Sequence, residues 1–491
     1  MTSTPHGPTG GRAVDISSWT LDELPREECG VFGITGIDAS AELAFLGLYA
    51  LQHRGQESAG ICAINGDGVA RVRKGIGLVA DVFTADDLNS LPGDTAVGHV
   101  RYSTAGGSRA QNAQPIVVRY AQGDLSIAHN GNLTNAQKLR ERLVKEGALF
   151  QTSSDSEVIV HLIARSRKET VAEQVDDALR QLEGAFSLVI SVGHTLYAAV
   201  DARGFRPLAL GRKGDGHVVA SESCALDIIG AEFIRDILPG EVVEVEGSKV
   251  RSMRSLPAPA NGAVSPCIFE LVYFARPDSN IWGVPVDRAR RGFGRQLARE
   301  HPVEADCVIS VPDSANSAAL GYAEESGVAF ELGLLRNHYV GRTFIRPSQA
   351  DRDFSARIKY NPVREVIEDR RVIVVDDSLV RGTTSSSLVK FLKEAGAREV
   401  HFRIASPPVK FPCFYGIDMP SREELIGSSN SVEEIRDVLG VDSLGYLSLD
   451  GMLEVVREAG PFCDACFSGN YTAPLVDLDE GLVPDDHPPG S

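Results

Sequence analysis

Cysteine is scarce in this chain: eight residues among 491. That is too few for a disulfide scaffold of this length. No apolar run approaches the ~20 residues that a membrane-spanning helix needs. Basic charge is in deficit, with 49 Lys and Arg against 67 Asp and Glu and a net charge of -18. A nucleic-acid or anionic-membrane binder needs basic surface to replace counterions, so neither class is expected. A small anionic substrate needs only a local site and stays open. The N-terminus, MTSTPHGPTGGRAVD, lacks the basic and apolar regions of a signal peptide. No internal repeat is visible. What is present is ordinary globular material, 43% hydrophobic and 24% charged. At roughly 100–200 residues per domain the length allows about two to four domains. A cytoplasmic protein of the reducing compartment is the expectation.

The first 28 residues are rich in Pro, Gly, Ser and Thr and then acidic, and read as a leader. Val31–Ile34 and Gly60–Ile64 read as strands, and Ala41–Leu51 as a helix. Ser154 and Glu157 have capping-box spacing before a helical period at Val158, Ile159, Leu162 and Ile163. Phe186–Ser191 and Leu196–Val200 read as an antiparallel pair. RSLPAPANGAVSP (254–266) has no periodicity and is placed as the domain linker. Beyond it strand and helix alternate. Asp306–Val311, Arg371–Val375 and Glu399–Ala405 are strands, with helices over Ala315–Glu325 and Ser385–Ala395. That pattern means βαβ units and a parallel sheet. The last residues, from 471, read as an acidic tail.

Two groups of residues carry chemistry. In RVIVVDDSLVRGTTSSS (371–387) an apolar strand ends in Asp376 and Asp377, and a loop opens a helix. Ligands of open parallel sheets sit at the carboxyl ends of strands, and a loop before a helix N-terminus offers N–H groups to phosphate. The two acids suit sugar hydroxyls or Mg²⁺. In the first half, Cys29 begins a strand, and four turn-like segments gather polar residues: LQHRGQESAG (51–60), GHVRYSTAG (98–106), AHNGNLTN (128–135) and TSSDSE (152–157). His53, His99 and His129 within them read as structural hydrogen-bonders.

The strand, acid pair and S-x-V-R-G-T-T together resemble the phosphoribosyltransferases. The resemblance implies 5-phosphoribosyl 1-diphosphate (PRPP) as ligand, with Asp376 and Asp377 on ribose hydroxyls and metal. Ser378, Arg381, Gly382, Thr383 and Thr384 then surround the 5-phosphate. Cys29 and the four segments resemble the glutaminase domain of N-terminal-nucleophile amidotransferases. That resemblance implies removal of the leader, Cys29 as nucleophile with its own α-amine as base, and Asn130 and Gly131 as oxyanion donors. It implies Arg101 on the glutamine α-carboxylate, Asp155 on the α-ammonium, and Arg54 and Thr104 as supporting contacts.

Both halves on one chain are similar to the glutamine PRPP amidotransferase family. VPDSANSAALGYAEESG (311–327), NHYVGRTFIRPSQ (337–349) and CFYGIDMPSREELI (413–426) extend the match. The implied fold is an α+β (αββα) N-terminal-nucleophile domain over 29–260, then an α/β phosphoribosyltransferase-type parallel-sheet domain over 261–470. The implied reaction converts glutamine, PRPP and water to 5-phosphoribosylamine, glutamate and diphosphate, the committed step of purine synthesis. Ser314 joins Asp376 and Asp377 as a Mg²⁺ contact. Arg342, Arg346, Arg352, Arg357 and Lys359 belong to a loop that closes over PRPP and helps form an ammonia channel. Purine nucleotides as feedback inhibitors and a homotetramer are further implications. Cys463 and Cys466 form C-x-x-C, which alone means zinc, a redox pair or nothing. The iron–sulfur subclass of the family groups them with Cys267 and Cys413 around one [4Fe–4S] cluster. Cys62, Cys224 and Cys307 read as buried and inert. Other amidotransferases of this type, such as glucosamine-phosphate or asparagine synthases, lack the Asp376–Thr384 motif. A PRPP-sensing regulator without chemistry would not need Cys29, Arg101, Asn130 and Asp155 together.

Overall fold

The computed structural model describes residues 29–102, 110–254, 256–259, 264–337 and 359–477. The leader 1–28, Thr104, the loop arginines Arg342, Arg346, Arg352 and Arg357, and residues 478–491 lie outside the described residues.

The first half builds two sheets from β1 (Gly30–Thr35), β2 (Ser58–Ile64), β3 (Ala70–Ile76), β4 (Thr95–Arg101), β5 (Ile116–Tyr120), β6 (Gly123–Leu133), β7 (Gly184–Val192), β8 (Thr195–Val200), β9 (Ala209–Lys213), β10 (Gly216–Ala220), β11 (Glu232–Asp236), β12 (Glu241–Glu246) and β13 (Lys249–Arg254). Their orders are β11-β9-β10-β1-β4-β2-β3 and β13-β12-β8-β7-β6-β5. Neighbours in both are antiparallel. Val31, Val97, Ala128, Val189 and Leu196 pack between the sheets. Phe32 and Ile34 face the helix Ser40–Ala50 on the outside of the first sheet. Leu188 and Ile190 face the helices Ser156–Arg165 and Val171–Leu179 outside the second. The result is four layers, αββα. A strand between two apolar layers has no polar face, so all six residues of β1 are buried and GVFGIT shows no alternation.

One local expectation is not met. The helix Ser156–Arg165 has no capping box between Ser154 and Glu157. The Glu157 carboxylate instead accepts from the N–H groups of Gln151 and Thr152, both at 2.7 Å. It thereby braces the turn that carries Asp155.

In the second half a short hairpin, β14 (Asn280–Ile281) and β15 (Val284–Pro285), leads into the helix Val286–Glu300. Strands β16 (Cys307–Ser310), β19 (Arg371–Asp376), β20 (Glu399–Ile404) and β21 (Ser443–Tyr446) form a parallel sheet in that order. β17 (Leu334–Arg336) and β18 (Tyr360–Pro362) pair antiparallel beside it. β19 sends Ile373 and Val375 into one apolar layer with Phe293, Leu297 and Tyr322, and Val372 and Val374 into another with Leu388, Leu392 and Leu439. The helix expected from Ser385 begins earlier and spans Thr383–Glu394, with Leu388, Phe391, Leu392 and Ala395 buried as its period requires.

Residues 471–477, read from the sequence as the start of a tail, instead lie against the first domain. Thr134 Oγ1 donates to the Pro474 carbonyl at 2.7 Å. The Asp477 carboxylate accepts from Gln137 N at 2.6 Å and Lys138 N at 3.1 Å, at the N-terminus of the helix Ala136–Lys145. No helix among the described residues is long and apolar enough to cross a membrane.

Candidate active sites

Cys29 stands immediately before β1, and β1 pairs with β4 so that Gly30 lies opposite Val100. That register brings the nucleophile candidate to the end of β4, where Arg101 sits. The Cys29 thiol is buried and lies 3.9 Å from the Tyr102 carbonyl. Burial pushes the thiol pKa up; the Tyr102 hydrogen bond and the charges of Arg101 and Arg54 oppose this, while Asp155 reinforces it. One cation, Arg101, and one anion, Asp155, therefore both act electrostatically on the thiol. Burial would raise the Asp155 pKa, but His129 together with the N–H groups of Leu133 and Ser156 holds it below the usual carboxylate range. Its Oδ2 accepts from Leu133 N at 3.1 Å.

Asn130 and Gly131 lie on β6, paired with Ser187 and Phe186 of β7. Asn130 is 1% exposed, and among the described residues its Nδ2 has no hydrogen-bond partner. A buried, unsatisfied amide donor is costly, so its retention points to an acceptor that arrives with a ligand. Gly131 has a φ of 143°, a region closed to most side chains.

Arg54 is fully buried and committed to protein partners. It donates to Glu222 Oε1 at 2.6 Å, to both Glu270 oxygens at 2.6 and 3.0 Å, and to the Cys29 carbonyl at 3.3 Å. Burial opposes its charge, but Glu270 and Glu222 outweigh that and raise its pKa. Arg54 thus fixes the backbone of the nucleophile through two acids. The three histidines are hydrogen-bonded within the fold: His53 Nε2 lies 2.7 Å from Glu222 Oε1, His99 Nε2 3.0 Å from the His129 carbonyl, and His129 Nδ1 3.0 Å from Ser156 Oγ.

In the second half Asp376, Asp377 and Ser378 are buried at the carboxyl end of β19. Asp377 N donates to Asp376 Oδ1 at 2.9 Å and Ser378 Oγ to Asp377 Oδ1 at 2.6 Å. Ser314, just before the helix Asn316–Ser326, lies near enough to Asp377 to favour its ionised form. Asp377 Oδ2 is buried without a hydrogen-bond partner among the described residues. Burial, and for Asp376 the neighbouring carboxylate, push both pKa values up. Gly382 has a φ of 81° and caps the helix that Thr383 and Thr384 open. A Cβ there would stand 2.8 Å from Ile426 Cδ1, so glycine keeps the loop close to its neighbour. Arg381 pairs with Glu424 at 3.2 Å.

Cys267, Cys413, Cys463 and Cys466 line one cavity with Phe205 and Tyr415. None is in a disulfide. Cys267 and Cys463 meet in a parallel bridge, and Tyr415 N donates to Cys413 Sγ at 3.3 Å. Burial pushes the Cys267 pKa up to about 11 and raises those of Cys463 and Cys466. Among the described residues no group of three or more His, Cys, Asp or Glu side chains is disposed to hold a metal ion as it stands.

The profile of a glutamine amidotransferase domain matches residues 99–227. Amidophosphoribosyltransferase of Bacillus subtilis is 49% identical over 452 residues, covering 91% of this chain and 94% of that protein. Chloroplastic amidophosphoribosyltransferase 2 of Arabidopsis thaliana is 51% identical over 473 residues, 94% of this chain and 84% of that protein. This chain belongs to the amidophosphoribosyltransferase family. A solved glutamine PRPP amidotransferase from B. subtilis, complexed with ADP and GMP, superposes with a TM-score of 0.86 at 46% identity, covering 94% of this chain and 100% of that one. The chain is accordingly a glutamine-dependent pentosyltransferase of the first step of purine biosynthesis, with an N-terminal-nucleophile domain followed by a phosphoribosyltransferase domain.

Several residues that build this amidophosphoribosyltransferase site escaped sequence reading. Glu222 and Glu270 are 168 and 216 residues from Arg54. Only the oddity of an acid inside the apolar run FELVYF hinted at Glu270. Arg290, 3% exposed and electrostatically coupled to Asp377, looks from sequence like any arginine on a helix. Tyr360, 8% exposed, lies within the field of Asp376 and Asp377 and has no sequence signal.

Proposed function

We propose that glutamine is hydrolysed at Cys29 and that its ammonia displaces diphosphate from PRPP at Asp376–Thr384, giving 5-phosphoribosylamine. The observation that carries this reading is the buried Cys29 thiol, 3.9 Å from the Tyr102 carbonyl at the end of β4, under the opposed charges of Arg101 and Asp155. Those are the two charges that the α-carboxylate and α-ammonium of a free amino acid require beside the sulfur. The thiolate attacks the carboxamide carbon, ammonia leaves, and water clears the glutamyl thioester. Asn130 Nδ2 and the Gly131 N–H donate to the tetrahedral oxyanion. Arg54 orients Cys29, and Thr104 is assigned to the same pocket from its motif. An unactivated buried thiol is mostly protonated at neutral pH, so cleavage of 1–28 and release of the Cys29 amine supply the base.

Asp376 and Asp377 hold the ribose hydroxyls, and with Ser314 they would hold Mg²⁺. The unpaired Asp377 Oδ2 and the crowding of two buried acids fit a cation there. Mg²⁺ held there would supply charge neutralisation for the leaving diphosphate. Ser378, Arg381, Gly382, Thr383 and Thr384 cradle the 5-phosphate at the helix N-terminus. Arg342, Arg346, Arg352, Arg357 and Lys359 are assigned to the loop that closes over PRPP.

Cys267, Cys413, Cys463 and Cys466 would ligate a [4Fe–4S] cluster, whose role is structural. Four cysteine side chains around one cavity supply the all-thiolate donor set that such a cluster takes. The division into 29–260 and 261–470 follows the same reading. A homotetramer, a cytoplasmic location and inhibition by purine nucleotides complete it. The complex of the B. subtilis relative with ADP and GMP supports the last; the chloroplastic plant relatives make compartment a matter of each organism.

Diphosphate release from PRPP, assayed with glutamine, with ammonia and with neither, tests the whole. Cys29→Ala is expected to abolish the glutamine-dependent rate and keep the ammonia-dependent one. Surviving glutamine turnover would remove Cys29 as nucleophile.

A further inference from the structure

The segment after Cys413 leaves the cysteine cavity and runs onto the glutamine site. The Phe414 carbonyl accepts from Asn132 Nδ2 at 2.9 Å. The Tyr415 carbonyl accepts from Arg206 Nη2 at 2.7 Å and Nε at 3.2 Å. Gly416 has a φ of 113°. A Cβ built on it stands 3.0 Å from both Cα and the carbonyl carbon of Gly131, and 3.2 Å from Arg206 Nη2. Gly131 is itself tied to β7, paired with Phe186, and packs so closely there that a Cβ built on it would lie 2.1 Å from the Ala185 carbonyl oxygen. The backbone of β6 is therefore held between β7 and Gly416 at the oxyanion donors.

The far end of the segment is tied to the cysteines. Cys413 Sγ accepts from Tyr415 N. The Tyr415 ring stacks on Phe205 at 4.3 Å, and the Phe205 carbonyl accepts from Cys267 N at 3.1 Å. Cys413 and Cys267 are thus linked through Tyr415 to the strand that carries Asn130 and Gly131.

We propose that Cys413–Gly416 is a positioning element for the oxyanion donors, so that the geometry of the four-cysteine cavity is registered in glutamine hydrolysis and not in PRPP chemistry. The proposal rests on reading Asn130 and Gly131 as those donors. Oxyanion stabilisation depends on donors held to a fraction of an ångström. A small push on β6 lowers transition-state stabilisation, while Arg101 and Asp155 still hold the substrate. The change belongs in kcat and not in KM.

Gly416→Ala in the full chain is the test. Its glutaminase kcat is expected to fall about tenfold or more, with KM within about twofold of the parent. Ammonia-dependent synthesis from PRPP and iron per chain stay at the parent level. Hydrogen–deuterium exchange rises in residues 129–133 and stays unchanged in 376–384. Asn132→Ala adds no bulk and is expected to give the same split at about threefold; if Gly416→Ala does not fold, this variant decides. Parent-level kcat in both variants, a parallel loss of the glutamine and ammonia rates, or a rise in KM alone overturns the proposal. Cys29→Ala run alongside separates the two ideas. Glutamine turnover in that variant defeats the nucleophile reading. Its loss there, with parent kcat in Gly416→Ala, defeats only the positioning role.

Discussion

Asn130 and Asp376 carry opposite kinds of unfinished business. Among the described residues Asn130 keeps a donor without an acceptor, and Asp376 keeps a carboxylate that its surroundings discourage from ionising. Replacing Asn130 by Ala is expected to lower glutaminase kcat by about 10²–10³ with KM little changed, the usual cost of one oxyanion donor. Single-turnover thioester formation checks this. For Asp376 the folded pKa is raised, so folded protein keeps a proton that unfolded chain has released. Stability then falls as pH climbs from the ordinary carboxylate pKa towards the raised one. Asp376→Asn is expected to raise the melting temperature at pH 7 by about 2–4 °C, as roughly 1 kcal/mol does in a domain of this size. The same variant loses PRPP turnover. Asp155 has the reverse sign: its depressed pKa contributes stability above the ordinary carboxylate value, lost as pH falls through the folded one.

At the scale of elements, Arg54 joins the loop after the helix Ser40–Ala50 to Glu222 and to Glu270 in the turn Glu270–Phe274. Glu270→Ala leaves a buried guanidinium short of an acid and is expected to cost about 3–5 kcal/mol. Arg54→Ala strands two acids. The double variant should cost less than the sum, and urea unfolding of the four proteins measures the difference. This network also marks where sequence stopped being informative. The stretch 371–395 was legible because its strand, acid pair, glycine and helix are contiguous, and each residue type has a local reason. The pairing of Arg54 with Glu270 depends on chain segments 216 residues apart, and no local pattern encodes it. Glu157 was misassigned for a related reason: its spacing from Ser154 fits a capping box, but the chain before Ser154 turns back and offers two better-placed N–H donors. His129 was read only as a hydrogen-bonder, yet its ring lies 3.7 Å from Asp155 and helps keep that acid ionised.

At the scale of the molecule, the eight cysteines divide by neighbourhood. Four share one cavity, one lies at the end of β4 under the charges of Arg101 and Asp155, and Cys62, Cys224 and Cys307 are buried apart from these. Anaerobically purified protein is expected to be brown, with about four iron atoms per chain and no stoichiometric zinc. Cys413→Ser is expected to lose the visible absorption. Colourless protein holding zinc would replace the cluster by a mononuclear site.

The Asp477 carboxylate closes the helix that begins at Ala136, 340 residues earlier in the chain than its partner. At roughly 5–20 residues per second, a ribosome needs about 20–70 s to travel that distance. During that interval the glutaminase half exists without its last brace. Its completion is timed by the emergence of the half that consumes its ammonia.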